Sequence, residues 1–315
     1  MSDNNSPQVY IGFITFGALT APYLAGFLNS LAQQTFKDFQ IVVYDNTPAN
    51  ELEHLNLLPD EVIVFKGSEN VGFSRAYNKL ISEAIKARAK YFLVINPDTY
   101  LKPEALELLV KGLESDEQLS SVCPKLLKLD FKNNQLTNII DSCGLVMHPG
   151  LGFSDLGQGM IDHGQHNTGA IFGVSGAAGL FRLSALEAVA ENGNYFDANF
   201  FMYKEDCDLA YRLYLGGFKS KLIPEALVYH DRTASGGNLW ERFVKRRDRS
   251  RDIKRWAFIN QHFLFIKYWS KQSFFNRLAI IIRVKLLFGY ALLLEPHLLA
   301  CYKIIFQESK KLKRY

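Results

Sequence analysis

Apolar and polar positions follow two rhythms along the chain. Residues 9–16 form a short apolar run of strand length. After it, Leu24, Phe27, Leu28 and Leu31 recur at the spacing of an amphipathic helix, with Thr20 placed to cap it and Pro22 in its first turn. Residues 39–44 and 62–65 are two more apolar runs, the first ending at Asp45-Asn46 and the second leading through Gly67 to Asn70. Ala76, Leu80, Ile81, Ala84 and Ile85 mark another helix, and residues 91–95 are apolar throughout and stop at Asn96-Pro97-Asp98. Strands alternating with helices predict an α/β fold whose mainly parallel sheet carries helices on both faces.

In such sheets ligands bind just beyond the carboxyl ends of the strands. That rule selects Thr15, Asp45-Asn46, the Asn70-Val71-Gly72 turn and Asn96-Pro97-Asp98. Residues 133–179 are rich in Gly, Asn, Ser and His with weak periodicity, which predicts loops, short strands and an acceptor-facing surface. A helix is predicted over residues 204–215, stopped by Gly216-Gly217, and a strand over 226–230. From residue 238 the pattern becomes helical and basic. The apolar stretch 286–294 is too short to span a membrane.

Charge sharpens this division. Residues 1–239 hold 18 Lys and Arg against 27 Asp and Glu, whereas residues 240–315 hold 18 against 5. The chain is therefore expected to consist of a catalytic region over residues 1–237 and a helical, basic extension over 238–315. The extension fits a helix lying on an anionic membrane surface, with Lys245, Arg246, Arg247, Arg249 and Arg251 at the headgroups and Phe258, Phe263, Phe265, Trp269, Phe274 and Phe275 entering the boundary. The alternative is an appendage packed on the catalytic region or on a second subunit of a homo-oligomer. With 48% apolar and 22% charged residues the composition is that of an ordinary globular protein. Four widely spaced cysteines, Cys123, Cys143, Cys207 and Cys301, suggest neither a disulfide framework nor a zinc site. The polar N-terminal residues carry no secretion signal, so a cytoplasmic location is expected.

Three places hold candidate chemistry. Asp98, at the mouth of a buried strand, suits Mg²⁺ or Mn²⁺, which take oxygen ligands from one or two carboxylates and substrate phosphates; Asn-Pro-Asp is also an ordinary turn sequence. Glu205 and Asp206 stand at the head of a helix, either as acids that complement its dipole or with one of them as a general base. His230 ends a strand, either as a structural histidine or as a further metal ligand.

Taken in order, the segments TFG, VVYDN, SENVGFSRAYN, FLVINPDT, VSGAAGLFR, FFMYKEDCDLAYRLYLGGFK and LIPEALVYH resemble the family 2 glycosyltransferases of the GT-A fold. The likeness runs from about residue 9 to 231 and is nearest to the bacterial rhamnosyltransferase and galactofuranosyltransferase branch. The resemblance implies that Asp45 and Thr15 line the nucleobase pocket. Asn70, Gly72 and Arg75 would lie beside the nucleotide, and Asn96 and Asp98 would replace the family's Asp-x-Asp element with its first acid missing. It further implies Asp98 as principal metal ligand, His230 as a contact to metal or diphosphate, Asp206 as catalytic base and Glu205 as its neighbour in acceptor binding.

The expected reaction is inverting transfer of a sugar, rhamnose foremost, from a dTDP- or UDP-sugar to a hydroxyl of a glycan or a polyprenyl-diphosphate-linked acceptor, at the inner face of the cell membrane. No nucleic-acid partner is expected. A dinucleotide oxidoreductase is disfavoured, because no Gly-x-Gly-x-x-Gly follows the first strand. A non-catalytic nucleotide-binding or membrane-surface protein on the same fold is the remaining alternative, and the missing first acid favours it mildly.

Overall fold

The structure, a computed structural model, describes residues 6–48, 53–167, 169–232 and 250–315. Its first half alternates as predicted: β1 (Val9–Thr15), α1 (Gly17–Ala32), β2 (Phe39–Asp45), β3 (Ile63–Lys66), α2 (Gly72–Lys86) and β4 (Tyr91–Ile95). These four strands pair in parallel in the order β3-β2-β1-β4. One boundary differs from expectation. Helix α1 begins at Gly17, so Pro22 lies inside the helix and not in its first turn. Thr20 acts from within that turn, its hydroxyl accepting from the Phe16 backbone N–H at 2.9 Å.

Segments that no predicted element covers complete the sheet: β5 (Thr99–Leu101), α3 (Ala105–Glu114) and β6 (Leu119–Asp130). The polar middle supplies β7 (Gln135–Ser142), the hairpin of β8 (Leu145–His148) with β9 (Gly152–Asp155), and the short β10 (Ala170–Ile171). Then come β11 (Ala178–Arg182), α4 (Leu183–Ala188), α5 (Glu205–Leu215) and β12 (Lys219–His230). Strand β11 inserts antiparallel between β4 and β6, and β12 lies parallel to β6. A mainly parallel sheet thus keeps β1, β2, β4 and β12 ending at one edge.

Period-two alternation divides the core between the two faces of the sheet. In β4, Tyr91, Leu93 and Ile95 pack with Leu24, Phe27, Leu106 and Leu109, from α1 and α3. Phe92 and Val94 point the other way, toward Tyr77, Leu80 and Leu209, from α2 and α5.

The C-terminal region is helical, with α6 (Arg251–Tyr268), α7 (Phe274–Leu293) and α8 (Cys301–Glu308). Lys245, Arg246, Arg247 and Arg249, expected to meet a membrane, lie outside the described residues. For three other residues expected there, the structure gives a correction. Phe258, Phe263 and Phe265 are buried in a cluster with Phe200, Cys207 and Tyr211, so they hold α6 against α5 and are not available to lipid. Helical periodicity marks which residues share a face but not what covers that face. Phe274 and Phe275, at 76% and 80% exposure, do face outward.

Charge as well as apolar packing locks α6 down. Lys267 is fully buried, with its ammonium 2.7 Å from Asp208, 2.6 Å from Asp197 and 3.3 Å from Glu191. Asp208 also accepts from Arg212 at 2.9 Å and from the Tyr268 hydroxyl at 2.7 Å. Burial alone would raise the Asp208 pKa, but Lys267 and Arg212 outweigh it and hold the carboxyl below its usual range. Removing one partner from such a network strands the others without compensation. Lys267→Met is therefore expected to cost about 3–5 kcal/mol of stability, measured by urea unfolding. A loss under about 1 kcal/mol would mean that the carboxylates find other partners.

Candidate active site

The carboxyl ends of β1 and β2 meet at Asp45. Thr15 donates its hydroxyl to Asp45 Oδ1 at 2.9 Å, Thr47 donates its hydroxyl and its N–H to the same oxygen, and a His54 ring nitrogen lies 3.0 Å from it. The carboxylate is fully buried, yet its Oδ2 has no hydrogen-bond partner among the described residues, with only the Lys66 ammonium nearby at 3.7 Å. A buried carboxylate oxygen with a long ion pair but no hydrogen bond is incompletely satisfied, and an incoming N–H donor relieves it. The imide N–H of a pyrimidine base is such a donor.

Asn46 ties this end to the start of α2, accepting the Val71 N–H at 3.0 Å and donating to the Gly72 carbonyl at 3.3 Å. Asn70 is exposed and accepts the Gly72 N–H at 2.9 Å. Gly72 has φ +79°, and a Cβ there would come within 2.4 Å of the Phe201 carbonyl oxygen, so only glycine fits. Arg75, in the first turn of α2, is exposed.

Below β4 lies a denser cluster. Asn96 donates its backbone N–H to the Ala177 carbonyl and accepts the Thr99 hydroxyl at its own carbonyl. Asp98 is partly exposed and has its Oδ1 3.3 Å from His230 Nε2, while His230 Nδ1 is 2.9 Å from Asp141. Arg232 reaches Asp155 at 2.8 Å and Asp141 at 3.4 Å. Tyr23 donates to Asp231 at 2.7 Å, and Asp231 donates its backbone N–H to the Asp98 carbonyl at 2.9 Å. Burial alone would lower the His230 pKa, but the carboxylates of Asp98 and Asp141 outweigh it and push it up to about 9.

These residues fit a divalent metal. Two ligands in adjacent positions of an octahedral Mg²⁺ or Mn²⁺ shell stand about 3 Å apart, and Asp98 Oδ1 and His230 Nε2 are 3.3 Å apart. Asp141 takes the place behind the imidazole that orients a metal-binding histidine. Asp98 and His230 make a set of two, and no group of three or more metal-ligating side chains occurs among the described residues. A metal held here depends on the substrate's own oxygens for the rest of its shell.

The second acidic centre crowns α5. Two non-glycine residues with positive φ, Tyr203 at 69° and Lys204 at 71°, turn the chain into the helix and aim Glu205 and Asp206 at the sheet edge. The Gly176 N–H donates to Asp206 Oδ2 at 3.1 Å. Glu205 is buried, its Oε2 has no hydrogen-bond partner among the described residues, and burial together with the charge of Asp206 raises its pKa well above the usual carboxyl range. Tyr77, whose hydroxyl donates to the Ile95 carbonyl at 3.0 Å, lies within electrostatic reach of both Glu205 and Asp98.

The structure thus brings Thr15 to Asp45, Asn70 to Gly72, Asp98 to His230 and Glu205 to Asp206. It gives Asn46, selected with Asp45 at the end of β2, its partners at the start of α2, and adds His54, Asp141, Asp155 and Arg232, which the sequence did not single out. Arg232 lies two positions from His230, a usable signal. His54, Asp141 and Asp155 carry none, because their partners lie 9 to 91 positions away.

The profile of glycosyl transferase family 2 matches residues 11–187, and the chain belongs to that family. It is 25% identical over 221 residues to the poly-β-1,6-N-acetyl-D-glucosamine synthase of Staphylococcus aureus, an alignment that covers 69% of this chain and 48% of the synthase. The chain therefore spans about half the length of that relative. It is 30% identical over 120 residues to the bifunctional glycosyltransferase pgtA of Dictyostelium discoideum, which covers 36% of this chain and 15% of pgtA. Among solved structures, the mannosyltransferase PcManGT of Pyrobaculum calidifontis, in complex with GDP-Man and Mn²⁺, superposes with a TM-score of 0.52 at 14% identity. That match covers 98% of this chain and 76% of PcManGT, a likeness of fold.

Asp98→Ala is expected to remove the Mn²⁺-dependent part of nucleoside-diphosphate affinity, measured by calorimetry with and without the metal. The same Mn²⁺ increment in the variant would place the metal elsewhere.

Proposed function

We propose, with membership of glycosyl transferase family 2 as the premise, that this chain is a metal-dependent inverting transferase. It moves a sugar, rhamnose foremost, from a dTDP- or UDP-sugar to a hydroxyl of a glycan or polyprenyl-diphosphate-linked acceptor in cell-surface polysaccharide synthesis. One observation carries the reading: two acidic centres of different character converge on one sheet edge, Asp98 with His230 at the strand ends and Glu205 with Asp206 at the head of α5. The Asn96-Pro97-Asp98 sequence supports the rhamnosyltransferase-like branch. The names of the synthase and of the GDP-Man and Mn²⁺ complex agree with a nucleotide-sugar donor and a metal.

The chemistry follows from the residues. Asp45 and Thr15 receive the nucleobase, and the Asn70 to Gly72 turn, with Arg75 beside it, borders the nucleotide. Asp98 and His230 would hold a divalent metal, Mn²⁺ or Mg²⁺, which when bound would supply Lewis-acid stabilisation of the charge on the departing diphosphate. On the opposite face Asp206 accepts the acceptor's hydroxyl proton, a role worth about 10² to 10⁴ in rate. The acceptor oxygen bonds to the anomeric carbon as the bond from that carbon to the diphosphate oxygen breaks with its electron pair. One displacement inverts the centre. Glu205, whose carboxyl is pushed toward its protonated form by burial and by its acidic neighbour, offers the acceptor a hydrogen bond.

The division into a catalytic region (1–237) and a basic helical extension (238–315) belongs to the same proposal, with the extension on the inner face of the cell membrane. No helix among the described residues is long and apolar enough to cross a membrane. Helix α7 instead exposes Phe275, Leu278, Ile282, Leu286 and Leu293. Residues 250–315 carry 13 Lys and Arg against 3 Asp and Glu, which favours an anionic surface over a second, equally basic copy. An apolar cavity of about 550 Å³, lined by Ile266, Trp269, Ile280, Val284, Lys285 and Arg314 among others, adds room for a lipid chain.

Asp206→Asn is expected to lower transfer by at least about 10²-fold while donor binding stays intact, measured as sugar transfer and as nucleoside-diphosphate affinity. Transfer above a tenth of the parent rate would exclude Asp206 as base. For the extension, Phe275→Glu with Leu286→Glu is expected to release the protein from anionic liposomes, and binding of the parent should weaken with salt. Equal sedimentation of parent and variant would make α7 a packing surface.

A further inference from the structure

Residues 201–204 connect three parts of the molecule. The Phe201 carbonyl accepts the Phe73 N–H at 2.7 Å, at the start of α2. The Phe201 ring stacks on Trp256 of α6, with centroids 4.9 Å apart and planes 24° from parallel. Asn260, one turn further along α6, donates from its single amide nitrogen to the Met202 carbonyl at 2.9 Å and to the Tyr203 carbonyl at 2.7 Å. One residue further on, after Lys204, stand Glu205 and Asp206.

We propose that α6 is a working part of the active site: Asn260 is a positioning residue that holds the Glu205–Asp206 pair in place, and Trp256 registers occupation of the nucleotide end through Phe201. The inference rests on the nucleotide and base assignments above. Tyr203 and Lys204 occupy the left-handed region that β-carbon-bearing residues avoid, a strain of about 1–3 kcal/mol each that persists only where neighbours enforce it. Asn260 is that neighbour. It is fully buried, and its Oδ1 has no partner among the described residues, so its whole polar function goes into the two donated bonds. A carboxylate at this position offers no donor, and an aliphatic side chain offers none either. The helix that carries it cannot drift, because Lys267, two turns on and on the same face, is buried among Asp208, Asp197 and Glu191.

The nucleotide end connects to the same segment. A nucleotide at the Asn70 to Gly72 turn presses on the glycine whose absent β-carbon leaves room for the Phe201 carbonyl. Any shift of Phe201 then moves its ring against the Trp256 indole on one side and the strained 202–204 backbone on the other. Occupation of the donor site and the environment of the Trp256 indole are thereby coupled through Phe201.

The test uses the full-length protein, with UDP, dTDP and GDP plus Mn²⁺ as probes and calorimetry as an independent measure of binding. Tryptophan emission is expected to change on binding in the parent, in Trp240→Phe and in Trp269→Phe. It should not change in Trp256→Phe, whose calorimetric affinity stays within about threefold of the parent. Asn260→Leu and Asn260→Asp are expected to lower kcat for donor turnover by about 10²-fold, with donor KM and nucleotide affinity unchanged within about threefold. A response that survives Trp256→Phe, or a silent parent that binds by calorimetry, would overturn the coupling alone. Parent-like kcat in both Asn260 variants, or parallel loss of kcat and nucleotide affinity, would reduce Asn260 to a fold-stabilising role. Absence of calorimetric binding for every probe would remove the nucleotide site itself, and this inference with it.

Discussion

Asp208 is a carboxylate buried with no exposure, and a charge in that position demands its counter-charges before its surroundings can close. Arg212 supplies one from the next turn of the same helix, and Lys267 supplies the other from 59 residues later in the chain. The helix that bears Glu205 and Asp206 is thereby tied by charge to the C-terminal helix. Two turns before Lys267 the same helix presents Asn260 to the backbone that feeds α5. Structural charge and site geometry are therefore carried by one element, and its sequence is constrained from both sides.

The sheet imposes the second constraint. Parallel β1, β2, β4 and β12 all end at one edge, which collects Thr15, Asp45, Asp98 and His230 from positions up to 215 residues apart. Antiparallel β11 enters from that edge, so the residues just before it lie between the two acidic centres. The Ala177 carbonyl receives the Asn96 N–H, and the Gly176 N–H holds Asp206. This short stretch sets the distance between the strand ends and the head of α5.

Much of this was legible in the sequence, for a physical reason: a strand buried on both faces is an unbroken apolar run, and the polar residue that stops it marks the functional edge. Thr15, Asp45, Asn96, Asp98 and His230 are selected that way, and the structure places them at or just beyond the strand ends. The pairing of Thr15 with Asp45 follows from adjacent parallel strands, whose register matches Thr15 to Asp45. Asp141 was not legible, because β7 begins in exposed polar positions and its importance is set by His230, 89 residues away. Lys267 reads as one more cation on a basic amphipathic helix, and only the fold shows that three carboxylates surround it. Phe258, Phe263 and Phe265 were placed at a membrane for the same reason: periodicity reveals an apolar face but not its partner. Helix α1 shows the limit of local capping rules, since Thr20 serves the start of the helix from inside its first turn.

A glycosyltransferase of this kind needs the leaving diphosphate and the acceptor proton handled by different groups on opposite sides of one carbon. In the proposed reaction the two acidic centres supply that separation, and the buried Oδ2 of Asp45, which has no hydrogen-bond partner among the described residues, receives the base. The most direct measurement is a crystal structure with dTDP or UDP and Mn²⁺, using the anomalous signal of manganese to locate the metal. The expected result is a manganese peak bonded to Asp98 and His230, the diphosphate completing its shell and the base N–H on Asp45 Oδ2. A manganese peak on other residues, or a nucleotide bound away from the ends of β1, β2 and β4, would contradict it.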